Sequence, residues 1–170
     1  AGTLLHKAGS YWLGWTEYGA LGAWVTTASG ATLRVEAMRG YTDRLWHHVA
    51  VTYDSAMLGL AVDGDLVASA EGVAPSPAAP SPFVYATLCA ALMPGTGTVA
   101  SATAFNGHVD DVRFWDIALG MNKVEELWVA GHIAEPNVEE GLRAYFDFNL
   151  GGNVPVSSAV FDRTSGHVDA

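Results

Sequence analysis

The sequence predicts an all-β fold of short antiparallel strands with one short helix near residues 122–130. Three observations carry that expectation. Nineteen glycines break the chain into short segments in which Val, Thr and aromatic residues recur, the composition of strands rather than helices. Apolar and polar residues alternate along most of those segments, so one face of each is apolar. Only one stretch, after Gly120, changes to helical spacing.

Thr3–Ala8, Tyr11–Glu17, Gly22–Thr27 and Thr32–Met38 read as four strands separated by Gly-, Ser- and Tyr-containing turns, close enough for an antiparallel meander. In WHHVAVTYD (Trp46–Asp54), Val49, Val51 and Tyr53 share a face. Leu58, Leu60 and Val62 repeat the alternation after a loop at Asp54–Met57. Asp63-Gly64 suits a two-residue hairpin turn with both φ angles positive, and Leu66 and Ala68 carry the return strand.

APSPAAPSP (Ala74–Pro82) has four prolines in nine residues and reads as a semi-extended surface loop. FVYATLC (Phe83–Cys89) follows as a strand, and HVDDVRFW (His108–Trp115) is the next. Asp110 falls on the face of Val112 and Phe114 there. The helix is expected to start with Asn122 as cap and Glu125 completing a capping box. Val124, Leu127 and Trp128 form its apolar stripe, and Gly131 stops it after about two turns. In LRAYFDFN, Leu142, Ala144, Phe146 and Phe148 share one face, and Arg143, Tyr145 and Asp147 the other. The remaining tail is turn-rich, with an edge strand expected near Val160.

A hydrophobic content of 50% against 15% charged residues supports a folded core over disorder. The formal charge of −10 repels phosphate backbones, so neither nucleic acid nor anionic membrane is an expected partner. The longest apolar run, Phe83–Met93, is far shorter than the roughly 20 residues of a membrane-spanning helix. Cys89 is the only cysteine and reads as a small buried thiol. The redox compartment stays open.

Three blocks in order, WHHVAVTYD…LGLAVDGDLVAS, FNGHVDDVRFWDIAL with its short helix, and GLRAYFDFN…DRTSG, resemble the laminin G-like branch of the concanavalin A-like lectin/glucanase superfamily. The resemblance implies a two-sheet antiparallel β-sandwich, a jelly roll of about a dozen strands. It divides the chain into a jelly-roll domain over residues 1–135 and a closing strand with a turn-rich tail over 136–170, expected to open a following repeat. An aromatic-rich strand that relatives place before Thr3–Ala8 is not in this sequence. The expectation is one unit of a longer array, closed by a strand from its neighbour.

The same resemblance implies an extracellular or cell-surface recognition or adhesion module. Its expected partners are other domains of one long chain, neighbouring subunits, or glycans. A lectin domain appended to a carbohydrate-active enzyme, and a structural unit of a filament or coat, are the other readings. Relatives with glucanase activity carry Glu-x-Asp-x-x-Glu on one strand, which places nucleophile and acid toward one cleft. That pattern is absent, and the pairs Glu125-Glu126 and Glu139-Glu140 cannot share a face. No catalytic residue is therefore assigned.

The six histidines are scattered without zinc spacing, so no metal site is assigned. His47 and His48 read as hydrogen-bonding strand residues. Calcium remains open because relatives bind it at the sandwich rim, with Asp110 and then Asp162 as candidates, each favoured instead as a hydrogen-bond anchor. Trp12 and Trp24 read as core and Trp46 and Trp115 as family-pattern positions. Trp15 and Tyr18, near a turn, are the candidates for stacking on a sugar face.

Overall fold

The computed structural model describes residues 2–72, 86–91, 93 and 98–149. The proline-rich loop Ala74–Pro82, the start of the strand at Phe83, Asp162 and the strand expected near Val160 lie outside them. The chain divides into two compact units, Ala1–Gly107 and His108–Ala170.

The first unit opens with the expected meander: β1 (Gly2–Lys7), β2 (Tyr11–Trp15), β3 (Leu21–Thr26) and β4 (Thr32–Glu36). A second antiparallel run follows: β5 (Val49–Tyr53), β6 (Met57–Val62) and β7 (Asp65–Glu71), then β8 (Ala86–Leu88). They form a five-stranded sheet, β4-β3-β2-β1-β8, and a three-stranded sheet, β5-β6-β7. Between β6 and β7, Asp63 and Gly64 adopt φ of 52° and 85°, as the Asp-Gly pair predicts.

The two sheets of this unit meet over one core. Leu21, Ala23 and Val25 of β3 and Val35 of β4 pack with Leu58, Leu60 and Val62 of β6. Leu21, Leu58 and Leu60 are fully buried, each burial worth about 1.5–3 kcal/mol. The alternation that buries these residues puts Gly22 and Trp24 on the opposite face. Trp12, paired with Trp24, shares that face, so neither tryptophan is core as the sequence suggested. Trp15 does the reverse of its expectation. It pairs with Leu21, packs against the core and stacks on Phe105, with ring centres 5.3 Å apart and planes 9° apart.

The second unit contains β9 (Val112–Trp115), α1 (Met121–Ala130) and β10 (Leu142–Phe146), with β9 and β10 antiparallel. Its core joins Leu127, Ile133, Leu142 and Tyr145. Three expectations are corrected here. The strand begins at Val112 rather than His108, because Asp111 has a left-handed φ of 51°. That leaves Asp110 exposed and outside the strand rather than buried beside Val112.

The helix N-cap is Gly120, not Asn122. The amides of Lys123 and Val124 both close on the Gly120 carbonyl, so the first turn has already formed when Asn122 is reached. The ten-residue helix is correspondingly longer than two turns; Val124 and Leu127 are buried, but Trp128 is 44% exposed. Finally, the alternation of LRAYF breaks. A bulge at Arg143, between the pairs Leu142–Trp115 and Ala144–Phe114, adds one residue to the strand. One extra residue shifts the parity, so Tyr145 joins Leu142 in the core.

Candidate functional site

The outer face of the five-stranded sheet carries a row of polar and aromatic side chains directly across the strands. His6 of β1 pairs with Trp12 of β2, Trp12 with Trp24 of β3, and Trp24 with Arg34 of β4. Neighbouring strands lie about 4.8 Å apart, so the row runs about 14 Å crosswise to the strands. Beside it runs a second row, Thr3–Gly14–Gly22–Glu36.

The two glycines explain how the indoles are held. A Cβ on Gly14 would stand 2.2 Å from the Gly2 carbonyl oxygen and 3.0 Å from Cζ2 of Trp12, so the Trp12 ring covers the place a side chain would take. Its Nε1 donates to Thr3 Oγ1 at 3.1 Å, fixing the ring in that position. Thr3 is itself buried. Trp24 meets the His6 ring edge-on, with centres 6.3 Å apart. Burial holds the His6 imidazole below its ordinary value of 6.5, so the ring is neutral at pH 7. Glu36 leans over Gly22, its Cγ 3.3 Å from where a Cβ would sit. Both indoles are half-buried, with Arg34 and Glu36 exposed at the edge strand. The result is a held pair of aromatic rings flanked by hydrogen-bonding groups of both polarities.

A second cluster lies where the loop before β5 meets the β6–β7 turn. His47 Nδ1 is 2.7 Å from Asp63 Oδ2, and its Nε2 is 3.1 Å from Asp43 Oδ1. Asp63 Oδ1 accepts from the His48 amide at 2.9 Å, and Asp43 Oδ1 from the Leu45 amide at 3.0 Å. The Asp63 bond, then that of Asp43, raises the His47 pKa despite partial desolvation. With both ring nitrogens held by carboxylates, the imidazole has no free nitrogen for a substrate proton. It ties the loop to the turn.

In the second unit the anchoring acid is Asp111 rather than Asp110. Asp111 Oδ1 accepts from the Tyr145 hydroxyl, which in turn receives the Ile133 amide at 3.4 Å. Arg113 donates to the Gly131 carbonyl and lies over the Tyr145 ring, 5.3 Å from its centre. Asp110 Oδ1 accepts from the Asp111 amide. Among the described residues no three His, Cys, Asp or Glu side chains converge on a possible metal position, so calcium finds no side-chain ligand set there. Of the glutamate pairs, Glu126 and Glu139 both hold Lys123, at 2.8 and 3.1 Å. Cys89 is half-buried rather than buried as the sequence suggested, and that partial desolvation raises its thiol pKa.

One rim of the first unit exposes large apolar side chains among charged ones. Gly40 approaches Gly19 so closely that a Cβ would be 2.9 Å from the Gly19 oxygen, bringing the β2–β3 turn beside the loop after β4. Tyr18 on that turn is 86% exposed, and Met38, Leu45 and Trp46 on the loop are exposed as well. Tyr18 is thus exposed as anticipated. The sequence reading missed the Trp12–Trp24 row, although the alternation in LGAWVT (Leu21–Thr26) contained it, since Trp24 has the parity of Gly22 and Thr26.

A laminin G family model described as concanavalin A-like lectin/glucanases superfamily matches residues 1–125. No curated protein matches the chain. Among solved structures, a Bacteroides ovatus protein described as a "putative carbohydrate binding protein" aligns with a TM-score of 0.70 at 20% identity, covering 95% of this chain. This chain spans 44% of the length of that protein. Among the described residues no helix is long and apolar enough to cross a membrane. The antiparallel sheets, the short α-helix and the family match over most of the chain agree: this chain belongs to the concanavalin A-like lectin/glucanases superfamily, in its laminin G-like branch.

Proposed function

We propose that this chain is a non-catalytic recognition module, extracellular or at a cell surface and one unit of a larger protein, that binds carbohydrate on the outer face of its five-stranded sheet. The observation that carries the reading is the Trp12–Trp24 pair, placed on the face opposite the core and flanked by His6 and Arg34. Indole faces suit the C–H face of a pyranose, and a few convergent polar groups fix its orientation. The thermodynamic logic is preorganisation: the Trp12 ring is already held by Thr3, so little freedom is lost on binding. The description of the Bacteroides ovatus protein accords with this reading.

The non-catalytic part rests on the His47 cluster, whose imidazole is occupied on both sides, and on the glutamate pairs, two of whose members are engaged with Lys123. The test is a glycan array with the native chain and with Trp12→Ala and Trp24→Ala. Binding that both substitutions abolish, in variants with native circular dichroism, supports the site. Silence on every glycan overturns it.

A specific observation favours a second role in assembly. Tyr18, Met38, Leu45 and Trp46 expose large apolar surface around one rim, and Arg39 and Arg44 lie on the same loop. Aromatic residues, Met and Arg are the types enriched in protein interfaces. A neighbouring domain or subunit covering this rim fits a module that works within an array. Sedimentation of the native chain against a Trp46→Ser/Leu45→Ser variant separates the roles, because only association depends on the rim.

A further inference from the structure

We infer that the ligand of the Trp12–Trp24 face is a neutral, linear glycan lying crosswise to the strands, bound along several of its sugar units rather than at one terminus. This rests on the carbohydrate reading of that face and adds the class of glycan. Three observations lead there. The first is charge. Arg34 and Glu36 stand two residues apart on the same side of the edge strand, one of each sign, and they form no ion pair with each other. His6, at the other end of the row, is kept neutral by burial. The face therefore offers donors and acceptors for hydroxyl groups but no net positive field for a carboxylate or sulfate. Nor do its surroundings supply one, since residues 1–107 contain 7 acidic and 4 basic residues.

The second observation is shape. The recognition groups form a row across four strands, about 14 Å long, on the sheet face opposite the core. A pocket for one sugar would surround it; a row instead meets successive units of a chain. The third is direction. Trp12 and Trp24 are cross-strand partners, so the two stacking surfaces follow one another along the row and not along a strand. Beside them Gly14 and Gly22 let the Trp12 ring and the Glu36 side chain lie down on the sheet, which keeps both close to the row.

The experiment is calorimetric titration of the native chain with neutral linear oligosaccharides of increasing length, cello-, laminari- and xylo-oligosaccharides. Oligogalacturonate and a sulfated oligosaccharide serve as anionic probes, and every titration is run at low and high salt. The inference expects a neutral series to bind with affinity rising about tenfold or more from monosaccharide to tetrasaccharide and insensitive to salt. Trp24→Ala should lose about tenfold or more of that affinity, and Trp24→Phe much less. Arg34→Ala, at an exposed edge position where folding is not at risk, should weaken neutral binding severalfold.

Binding of the anionic probes alone, falling with salt, overturns the neutral assignment while leaving the carbohydrate reading intact. A monosaccharide bound as tightly as the tetrasaccharide overturns the extended-chain assignment. Absence of binding to any probe and to the whole glycan array overturns the carbohydrate reading itself.

Discussion

The sharpest perturbation of the aromatic face is the smallest one, Gly14→Ala. Its β-carbon would stand 2.2 Å from the Gly2 carbonyl oxygen, 2.9 Å from Thr3 Cα and 3.0 Å from Trp12 Cζ2. Two of those three atoms belong to the backbone of β1, which cannot turn aside as a side chain can. Either β1 moves away from β2, weakening the ladder from Gly2–Trp15 to Lys7–Tyr11, or the indole lifts and breaks its bond to Thr3. Overpacking in a rigid site costs typically 1–3 kcal/mol, and backbone contact places this case toward the upper end, about 2–3 kcal/mol. For a chain of this length the melting midpoint should fall by roughly 4–12 °C. Gly2→Ala is the control, because its Cβ meets nothing closer than 3.6 Å and should change the midpoint little. Calorimetry or thermal circular dichroism measures both, and tryptophan fluorescence reports the displaced indole. A Gly14→Ala protein as stable as the native one, with unchanged fluorescence, would refute the claim that Gly14 seats the Trp12 ring.

Other expectations follow from the buried and titrating groups. Leu60→Ala, at a position with no exposed surface, should destabilise the first unit by about 2–5 kcal/mol in a denaturant titration. Tyr145→Phe removes the hydroxyl that bonds Asp111 and receives the Ile133 amide, and should cost about 1–3 kcal/mol while leaving the first unit unaffected, which local hydrogen exchange can resolve. The His47 brace should depend on pH. Its folded pKa is raised above 6.5, so its contribution is complete below 6.5 and is lost as pH rises through the folded value. The Asp43 carboxyl is lowered from 3.8, chiefly by the Leu45 amide and then by His47, so its contribution is complete above 3.8 and is lost as pH falls through the folded value. The stability gap between the native chain and His47→Gln should therefore be widest between those two values and narrow on either side; a gap constant with pH would mean that the ring's charge contributes nothing.

Much of the fold could be read directly from residue order because strands speak in parity. Thr32–Glu36, Val49–Tyr53 and the Asp63-Gly64 turn follow from alternation and turn chemistry without tertiary information. The misreadings share one cause, which is that parity says which residues lie together but not which side is the interior. At alternating positions Trp12 and Trp24, large and apolar, read as inward, whereas Ala23 and the other odd-numbered residues of β3 fill the space between the sheets. The bulge at Arg143 is a different failure. A single inserted residue flips every later side chain, and nothing in LRAYF marks it before its pairing with Val112–Trp115 is known. The helix cap failed because Gly120 offers only its backbone, leaving Asn122 the only side chain with capping chemistry in view.

That misassignment of Trp12 and Trp24 also bears on function. A sandwich core needs only one face of each sheet, and small or polar residues on the outer face suffice for stability. Two tryptophans there, each with a glycine beside it in the next row, put large apolar rings on a face that the core does not use. The Thr3 bond to Trp12 spends a buried hydroxyl on fixing a ring that the core does not use. A module selected only as a structural spacer would need no indoles on that face, where β-branched residues suit the pleated surface. The arrangement is economical only if the outer ring surfaces are themselves the product, which is what a stacking platform for a sugar chain requires. Replacing Trp12 and Trp24 together by Thr should therefore leave the chain folded, at a cost of about 1–3 kcal/mol for the buried Thr3 hydroxyl that loses its indole donor, while glycan binding disappears. A double variant that unfolds would show instead that the indoles hold the sheet together, and the argument from their dispensability would fall.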